Sequence, residues 1–234
     1  MRLNNFPLRY GWRKLTRVSV LGGTGGLGFA VALRLAKAGV EVVIGSRQAE
    51  KAVKAATQIL TILGDARVYG RVNHEAVEGC DVVFFTIPYE AVDEIARSVA
   101  PSLQQGCLAV SCIVSMSENG VSSAEFLASR LPSWARVVAA LHTVSASALI
   151  DVDKPLNMDT FIFGDNSEDK KTVARLLSVV EGLRPVDGGP LKNSRYGEAF
   201  TRFLMGVNKR YGVGNAGIRV TGLADEAVWK RWGR

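Results

Sequence analysis

Short runs of apolar and β-branched residues alternate along most of this chain with longer segments in which apolar residues recur at helical spacing. The first run covers residues 18–21, and the segment after it keeps helical spacing from Phe29 to Ala38. A second run at 41–45 is followed by a helical pattern at 49–63. Because strands and helices that alternate in this way form parallel βαβ units, the pattern predicts an α/β fold.

The same alternation continues into the last quarter of the chain. Further strands are predicted at 66–69, 80–88, 108–112, 136–141, 160–164 and 183–186. Further helices are predicted at 73–78, 89–99, 121–131, 167–181 and 198–208. We expect a loop at 151–158 and a compact, loop-rich end at 212–234, where glycines are frequent.

The turn between the first predicted strand and helix contains the spacing G-x-G-x-x-G, with glycines at 23, 25 and 28. In such a turn Gly23 permits a sharp reversal, Gly25 lets phosphates approach the backbone, and Gly28 lets helix and strand pack closely. Free amide groups and the positive dipole at the start of the helix then attract a pyrophosphate. The sequence therefore predicts a dinucleotide site at this turn, which also includes Gly26 and Leu27.

This turn narrows the fold prediction. We expect a Rossmann-type, doubly wound, mainly parallel sheet with a small C-terminal extension that covers the crevice. The predicted organisation is a basic N-terminal extension at 1–16, a nucleotide-binding domain at 17–145 and a smaller C-terminal domain at 146–234.

The end of the second predicted strand indicates which dinucleotide binds. Sites for NAD usually have an Asp or Glu there, which binds the ribose 2′-hydroxyl. Here the strand ends in Gly45-Ser46-Arg47, and Lys51 follows one helical turn later. A hydroxyl, a guanidinium and an ammonium group suit a dianionic 2′-phosphate, so the sequence favours NADP over NAD.

Two more strand ends carry candidate site residues. The run that starts at Cys80 ends in Thr86-Ile87-Pro88, and the run that starts at Arg136 is followed by His142. Ligands of open α/β sheets bind at the carboxyl edge, where these residues are expected. For His142 two interpretations remain open, namely a site residue or a histidine whose hydrogen bonds go to the backbone.

Composition and charge limit the remaining possibilities. With 47% hydrophobic and 22% charged residues, the chain is expected to be soluble and globular. It has no apolar run near the roughly 18 residues of a membrane span and no apolar stretch typical of a secretory signal, so we expect a cytoplasmic protein. Its three cysteines and two histidines show no metal-ligand spacing, so no metal site is predicted.

Most of the net charge of +7 is concentrated at the N-terminus. Residues 1–17 contain no acid and five basic residues, namely Arg2, Arg9, Arg13, Lys14 and Arg17. A solvated basic tail and a nucleic-acid-binding arm are both compatible with this pattern. Because the rest of the chain has no basic stripe, we expect neither a nucleic-acid nor a membrane partner.

Several motifs together resemble those of the F420-dependent NADP reductases. They are Gly22-Gly23-Thr24-Gly25, Gly45-Ser46-Arg47 with Lys51, Thr86-Ile87-Pro88, Leu141-His142-Thr143, Gly182-Leu183-Arg184-Pro185-Val186-Asp187, Gly189-Pro190-Leu191 and Asn193-Ser194-Arg195. The resemblance covers about residues 17–223. The cytoplasmic reductase domain of the STEAP metalloreductases is similar more distantly. The resemblance implies an enzyme of archaeal type that passes a hydride between NADP and the deazaflavin coenzyme F420, and it implies a homodimer.

The resemblance also implies roles for individual residues. Thr24, Ser46, Arg47 and Lys51 are expected to hold the 2′-phosphate side of NADP, and Thr86, Ile87 and Pro88 to line the nicotinamide ribose region. His142, Val144 and Thr201 are expected near the nicotinamide and deazaflavin rings, where the small Ala146 leaves room for stacking. Two cofactors that exchange a hydride need orientation and a dry site, so the absence of a recognisable catalytic triad is no objection.

Other functions stay open at this stage. The segment between Val114 and Ala124 is shorter than in the family. An NADPH-dependent flavin or ferric reductase that uses FMN or FAD is therefore one alternative. A small-carbonyl reductase and a non-catalytic NADP sensor are the others.

Overall fold

The computed structural model describes residues 17–116 and 120–233. The predicted basic extension at 1–16 lies outside the described residues, and so does the prediction that it binds neither nucleic acid nor a membrane. The strands are β1 Arg17–Leu21, β2 Glu41–Ser46, β3 Val68–Val72, β4 Val82–Phe85, β5 Leu108–Ser111, β6 Arg136–Ala139, β7 Met158–Phe163 and β8 Leu183–Gly189. The helices are α1 Gly26–Lys37, α2 Ala49–Leu63, α3 Asn73–Ala76, α4 Val92–Val99, α5 Ser123–Arg130, α6 Ala146–Ile150, α7 Ser167–Leu177, α8 Ser194–Tyr211 and α9 Asp225–Arg231.

All eight strands form one sheet in the order β3-β2-β1-β4-β5-β6-β7-β8. Strands β1 to β6 are parallel, β7 is antiparallel to β6 through one pair, Ala139 and Phe163, and β8 is parallel to β7. The first six strands have the order of a Rossmann sheet. The chain adds β2 and β3 on one side of β1 and β4 to β6 on the other, so the strand order reverses between β1 and β4. The predicted α/β fold with a mainly parallel sheet is confirmed.

Two apolar layers cover the sheet because successive side chains of each strand point to opposite faces. In β1, Val18 and Val20 pack in the layer that contains α1, α2, α6 and α7, whereas Leu21 packs in the layer that contains α3, α4 and α5. The strands between these layers are buried on both faces, as parallel sheets require. The carboxyl edge of the sheet is therefore the side left for ligands.

One buried arginine attaches α6 to α1. Arg34 of α1 donates hydrogen bonds to five carbonyl oxygens of α6 and the segment after it, those of Ala148, Leu149, Asp151, Val152 and Lys154. The guanidinium thereby satisfies carbonyl groups that the end of α6 leaves without helical partners. Because burial removes water from this cation, the pKa of Arg34 is lowered.

The C-terminal end contains more regular structure than the sequence predicts. The expectation of a loop-rich end at 212–234 is wrong for Asp225–Arg231, which forms α9. This helix is anchored by buried Trp232, whose Nε1 donates to the Pro185 carbonyl oxygen over 2.7 Å. The preceding loop is held by Asp159, which accepts two hydrogen bonds from Arg184 and one from Val220 N.

Helix α6 was not predicted, and α8 begins four residues earlier than the predicted start at 198. Helix α8 ends where Gly212 adopts a left-handed φ of 65°. Among the residues described, none of the helices combines the length and the apolar character that a bilayer crossing demands. The same residues contain no group of three acidic, histidine or cysteine side chains placed for a metal ion.

Candidate functional site

The chain reverses sharply where β1 meets α1. Gly22 has a φ of +76°, and its carbonyl oxygen accepts a hydrogen bond from Gly25 N over 2.9 Å. The sharp reversal predicted at Gly23 therefore occurs at Gly22, the position that needs a residue without a side chain. Helix α1 has no side-chain cap and no acid in its first turn, so its first amide groups are open to an anion.

Close packing requires glycine at two further positions of this turn, Gly23 and Gly28. A Cβ at Gly28 would lie 2.3 Å from Thr86 Oγ1 and 2.5 Å from the Gly22 carbonyl oxygen. A Cβ at Gly23 would lie 2.8 Å from the side chain of Ile44. The Thr86 hydroxyl donates to the Leu21 carbonyl oxygen over 2.7 Å, which joins the ends of β4 and β1. The turn is thus held in one shape by backbone contacts.

A cleft of about 780 Å³ opens beside this turn at the carboxyl edge of the sheet. Of the sequence-predicted site residues, eight line it: Thr24, Gly25, Ser46, Arg47, Lys51, Thr86, Ile87 and Pro88. The remaining turn residues that were predicted, Gly23, Gly26, Leu27 and Gly28, do not line it. Cys112 and Val114, which follow β5, line the same cleft and were not predicted.

One end of the cleft carries two cationic side chains that form no ion pair within the described part of the chain. Arg47 and Lys51 are exposed, and neither forms an ion pair or a hydrogen bond with the described residues. Lys51 lies in the first turn of α2, next to Glu50. Buried Ser46 adds a hydroxyl oxygen. This end fits a phosphate dianion, whereas the carboxylates of the cleft, Glu90 and Glu94, come from the segment after β4.

His142 lies behind the cleft wall and is almost fully buried. Its Nε2 lies 3.2 Å from the carbonyl oxygen of Ile113, the residue between Cys112 and Val114. A carbonyl oxygen only accepts, so Nε2 carries the proton. The Thr201 hydroxyl donates to the His142 carbonyl oxygen over 2.6 Å. The side-chain hydrogen bond of this histidine therefore goes to the backbone, and its role as a site residue stays a prediction.

The ring of His142 is neutral near pH 7. Burial lowers its pKa, although the Glu198 charge and the hydrogen bond to Ile113 act in the opposite direction. Its Nδ1 is buried and has no hydrogen-bond partner among the described residues. The preceding residue, Leu141, has a φ of +69°, a conformation that costs a branched side chain energy and is concentrated at functional sites.

The other predicted ring-side residues lie on the segment after His142. Val144 is buried and donates its N–H to the Leu141 carbonyl oxygen. Ala146 starts α6, and its Cβ lies 3.7 Å from the position that a Cβ of Gly26 would take. The starts of α6 and α1 therefore meet at the glycine-rich turn, although neither Val144 nor Ala146 lines the cleft.

Two residues of α8 that the sequence did not single out complete this region. Gly197 faces the His142 ring, since a Cβ there would lie 3.2 Å from both Cγ and Nδ1. Glu198 is buried and bonded to the segments around α5. A lone glutamate in an amphipathic helix pattern is typical of an exposed surface, so no sequence signal pointed to it.

Comparison with known proteins adds to this geometry. A family model described as NADP oxidoreductase coenzyme F420-dependent matches residues 17–115. The chain is 36% identical over 224 residues to the F420-dependent NADP reductase of Methanothermobacter thermautotrophicus, an alignment that covers 90% of this chain and 97% of the relative. This chain belongs to the F420-dependent NADP reductase family. A second member, from Methanothermobacter marburgensis, is 37% identical over 223 residues, 89% of this chain and 100% of the relative.

More distant similarities agree with the fold described above. A crystal structure from Arthrobacter sp. FB24, assigned as an F420-dependent NADP reductase, superimposes with a TM-score of 0.75 at 22% identity, over 88% of this chain and 99% of that chain. The metalloreductase STEAP3 of Rattus norvegicus is 28% identical over 204 residues, 82% of this chain but 38% of that protein. Both resemblances expected from the sequence are confirmed.

Proposed function

We propose that this protein transfers a hydride between NADP(H) and the deazaflavin coenzyme F420. The observation that supports this most directly is the unequal character of the cleft. Two cations without an ion pair among the described residues, Arg47 and Lys51, stand at one end. Toward the other end Ile87, Cys112 and Val114 contribute apolar surface, and Glu90 and Glu94 follow on the segment after β4. A phosphate-bearing cofactor matches the first end, and stacked ring systems match the second.

The residues around the cleft suit binding and orientation rather than acid–base chemistry. When bound, NADP and the deazaflavin supply the hydride donor and acceptor themselves. Gly25 and the first turn of α1 would bind the pyrophosphate, and Arg47 with Lys51 would bind the 2′-phosphate. Pro88 and Ile87 exclude water from the ring end. Orientation of this kind accounts for a large part of the rate of a reaction between two bound molecules.

His142, Val144 and Thr201 are proposed to shape the ring end of the site. His142 is neutral, so it adds no charge where a hydride moves. Val144 is apolar and buried, and the Thr201 hydroxyl fixes the His142 backbone. A neutral, rigid wall of this kind is what close stacking of two rings requires.

The protein is further proposed to act as a homodimer through α8. Four aromatic side chains project from this helix and are 40–73% exposed: Tyr196, Phe200, Phe203 and Tyr211. Phe200 also stacks on Phe161, with ring centroids 5.9 Å apart, so the apolar surface extends onto the sheet. Exposed patches of this kind mark interaction sites.

Sedimentation velocity tests this arrangement. Phe203→Glu is expected to convert a dimer to a monomer, because it places a charge within the apolar surface. Val53→Glu is the control, since Val53 is an exposed apolar residue of α2 on another part of the surface. A wild-type monomer, or a Phe203→Glu dimer of unchanged stability, would exclude the interface.

The proposed location is the cytoplasm. Cys80, Cys107 and Cys112 are free and buried. Burial raises the pKa of Cys80 to about 11 and that of Cys107 to about 12, so these thiols stay protonated. Unpaired thiols are typical of reducing compartments.

A comparison of acceptors tests the proposed function. NADPH is mixed with the protein and with coenzyme F420, FMN or FAD, and its absorbance is followed. Rapid oxidation with coenzyme F420 alone is expected. Oxidation with FMN or FAD and none with coenzyme F420 would assign the protein instead as a flavin reductase, and tight NADPH binding without oxidation would favour a sensor.

A further inference from the structure

A buried glutamate of α8 binds two segments, the one that follows β5 and the start of α5. Glu198 is 3% exposed, and its carboxylate accepts three hydrogen bonds. Ser115 N donates to Oε2 over 2.9 Å, Ser123 N donates to Oε1 over 2.8 Å, and Ser123 Oγ donates to Oε2 over 2.7 Å. The carboxylate thereby satisfies an amide group at the start of α5 that has no helical partner.

The same turn of α8 holds His142. Gly197, the residue before Glu198, lies against the imidazole ring, and Thr201 bonds to the His142 carbonyl oxygen. The ring also meets the Phe163 ring edge-on, with centroids 6.4 Å apart. Its hydrogen bond goes to the Ile113 carbonyl oxygen, two residues before Ser115. Ser115 is the point at which α8 holds this segment, because Glu198 accepts from Ser115 N and Arg202 Nη1 donates to the Ser115 carbonyl oxygen over 2.8 Å.

These contacts form a ring of three parts, namely α8, His142 and the 113–115 segment, in which each part contacts the other two. Helix α8 holds His142 directly, and through Glu198 it also holds the segment whose carbonyl group bonds to His142 Nε2. Cys112 and Val114, the two cleft-lining residues after β5, flank that carbonyl group. A displacement of Ser115 would therefore move the cleft wall and the hydrogen-bond partner of His142 together.

We propose that Glu198 is a positioning residue for hydride transfer, which fixes the 113–115 segment against α8 and thereby sets the tautomer of His142 and the position of the cleft wall beside the rings. This inference rests on the proposed function for its kinetic consequences. Its structural consequence, the tautomer of His142, is independent of any acceptor.

The carboxylate is required because every one of its contacts is a donor. Glutamine has the same shape, but its NH₂ group must replace one carboxylate oxygen. In either orientation an NH₂ then faces a backbone N–H, of Ser115 or of Ser123, and one hydrogen bond is lost. Glu198→Gln is therefore a specific way to loosen one side of the arrangement.

Glu125→Gln is the matched control. Glu125 is the carboxylate of a capping box on the same helix α5, where it accepts from Ser122 N over 3.0 Å and from Ser122 Oγ over 2.8 Å. Its replacement by glutamine disturbs the same helix end, but it does not connect to Ser115 or to His142.

Two measurements distinguish positioning from a loss of stability. The first is the long-range ¹H–¹⁵N spectrum of the imidazole groups, in which the two histidines are separated because His74 is exposed and His142 is buried. Wild type and Glu125→Gln are expected to show His142 protonated at Nε2 alone. Glu198→Gln is expected to show exchange between the Nε2–H and Nδ1–H forms.

The second measurement is kinetic. Glu198→Gln is expected to lower kcat with coenzyme F420 by about tenfold to a hundredfold, which is the scale of a small misplacement of reacting groups, and to leave the Kd for NADPH within about twofold.

If Glu198→Gln does not fold, Ser123→Ala, which removes only the hydroxyl bond, is expected to show the same changes to a smaller degree. An unchanged His142 tautomer in these variants, or a kcat loss equal to that of Glu125→Gln, would overturn the proposal. Absence of activity in the wild type with an altered tautomer in Glu198→Gln would refute the proposed reaction but not the positioning role.

Discussion

Removal of Arg47 and Lys51, the two cations at the cleft, should weaken the binding of NADPH far more than the binding of NADH. Arg47 follows β2 directly, and Lys51 lies in the first turn of α2. Neither side chain has a partner among the described residues, so neither contributes an ion pair to the free protein. Arg47→Ala and Lys51→Ala should therefore fold normally and lose only what these side chains contribute to the bound 2′-phosphate.

The expected magnitude follows from the exposure of both groups. A hydrogen bond to a charged group contributes about 1.5–3 kcal/mol, and exposed groups fall at the low end of that range. Each single substitution should thus raise the Kd for NADPH about tenfold, and the double substitution about a hundredfold if the effects add. NADH has no 2′-phosphate, so its Kd should change less than about twofold.

Titration of each variant with both dinucleotides, followed by fluorescence or calorimetry, measures this difference. Lys54→Ala is the control, because it removes an equal charge from the same helix at an exposed position outside the cleft. The preference of the wild type for NADPH should also shrink as salt rises, since the Debye length falls from about 10 Å at 0.1 M to about 3 Å at 1 M. Equal losses for NADPH and NADH would refute the assignment of these residues to the 2′-phosphate.

Three further predictions concern stability. Arg34→Met should lower the free energy of unfolding by about 2–4 kcal/mol in urea titrations, because it leaves five carbonyl groups at the end of α6 without their donor; an unchanged midpoint would contradict this. Trp232→Phe should cost about 1 kcal/mol for the lost Pro185 bond and Trp232→Ala about 3–5 kcal/mol, with the Kd for NADPH unchanged; a weakened Kd would show that α9 reaches the site. Because burial lowers the pKa of His142, the unfolded chain protonates first as pH falls. The free energy of unfolding should then decrease below about pH 6.5 with a contribution of at most about 1.4 kcal/mol per pH unit, which His142→Asn removes; identical slopes for both proteins would disprove it.

The sheet could be predicted because its strands are short apolar runs that alternate with segments of helical spacing, and glycines mark several of the turns between them. The elements that escaped prediction are those whose formation depends on distant contacts. Helix α6 has five residues, too few to be stable alone, and it is held by Arg34 from α1. Helix α9 did carry a local signal, with acids in its first turn and bases in its last, but the glycines nearby suggested a loop.

The grouping of three cleft-lining residues could be predicted for a similar reason. Gly25, Arg47 and Lys51 stand at fixed distances along one βαβ unit, so spacing alone places them together. The ring end combines strand ends from β4, β5 and β6 with a turn of α8, and only the tertiary structure brings Glu198 to Ser115. The left-handed conformation of Leu141 was equally beyond a sequence argument, because leucine gives no sign of it.

In the proposed reaction a hydride passes directly between the two cofactors in one site. Single-turnover mixing of NADPH, deuterated at the transferred position of C4, with excess coenzyme F420 tests this step, with mass spectrometry of the reduced product. A hydrogen bound to carbon does not exchange with water during transfer, so we expect one deuterium in the reduced coenzyme F420 and a slower transfer than with unlabelled NADPH. Reduced coenzyme F420 without deuterium, or no reduction at all by protein that binds NADPH, would rule out direct transfer.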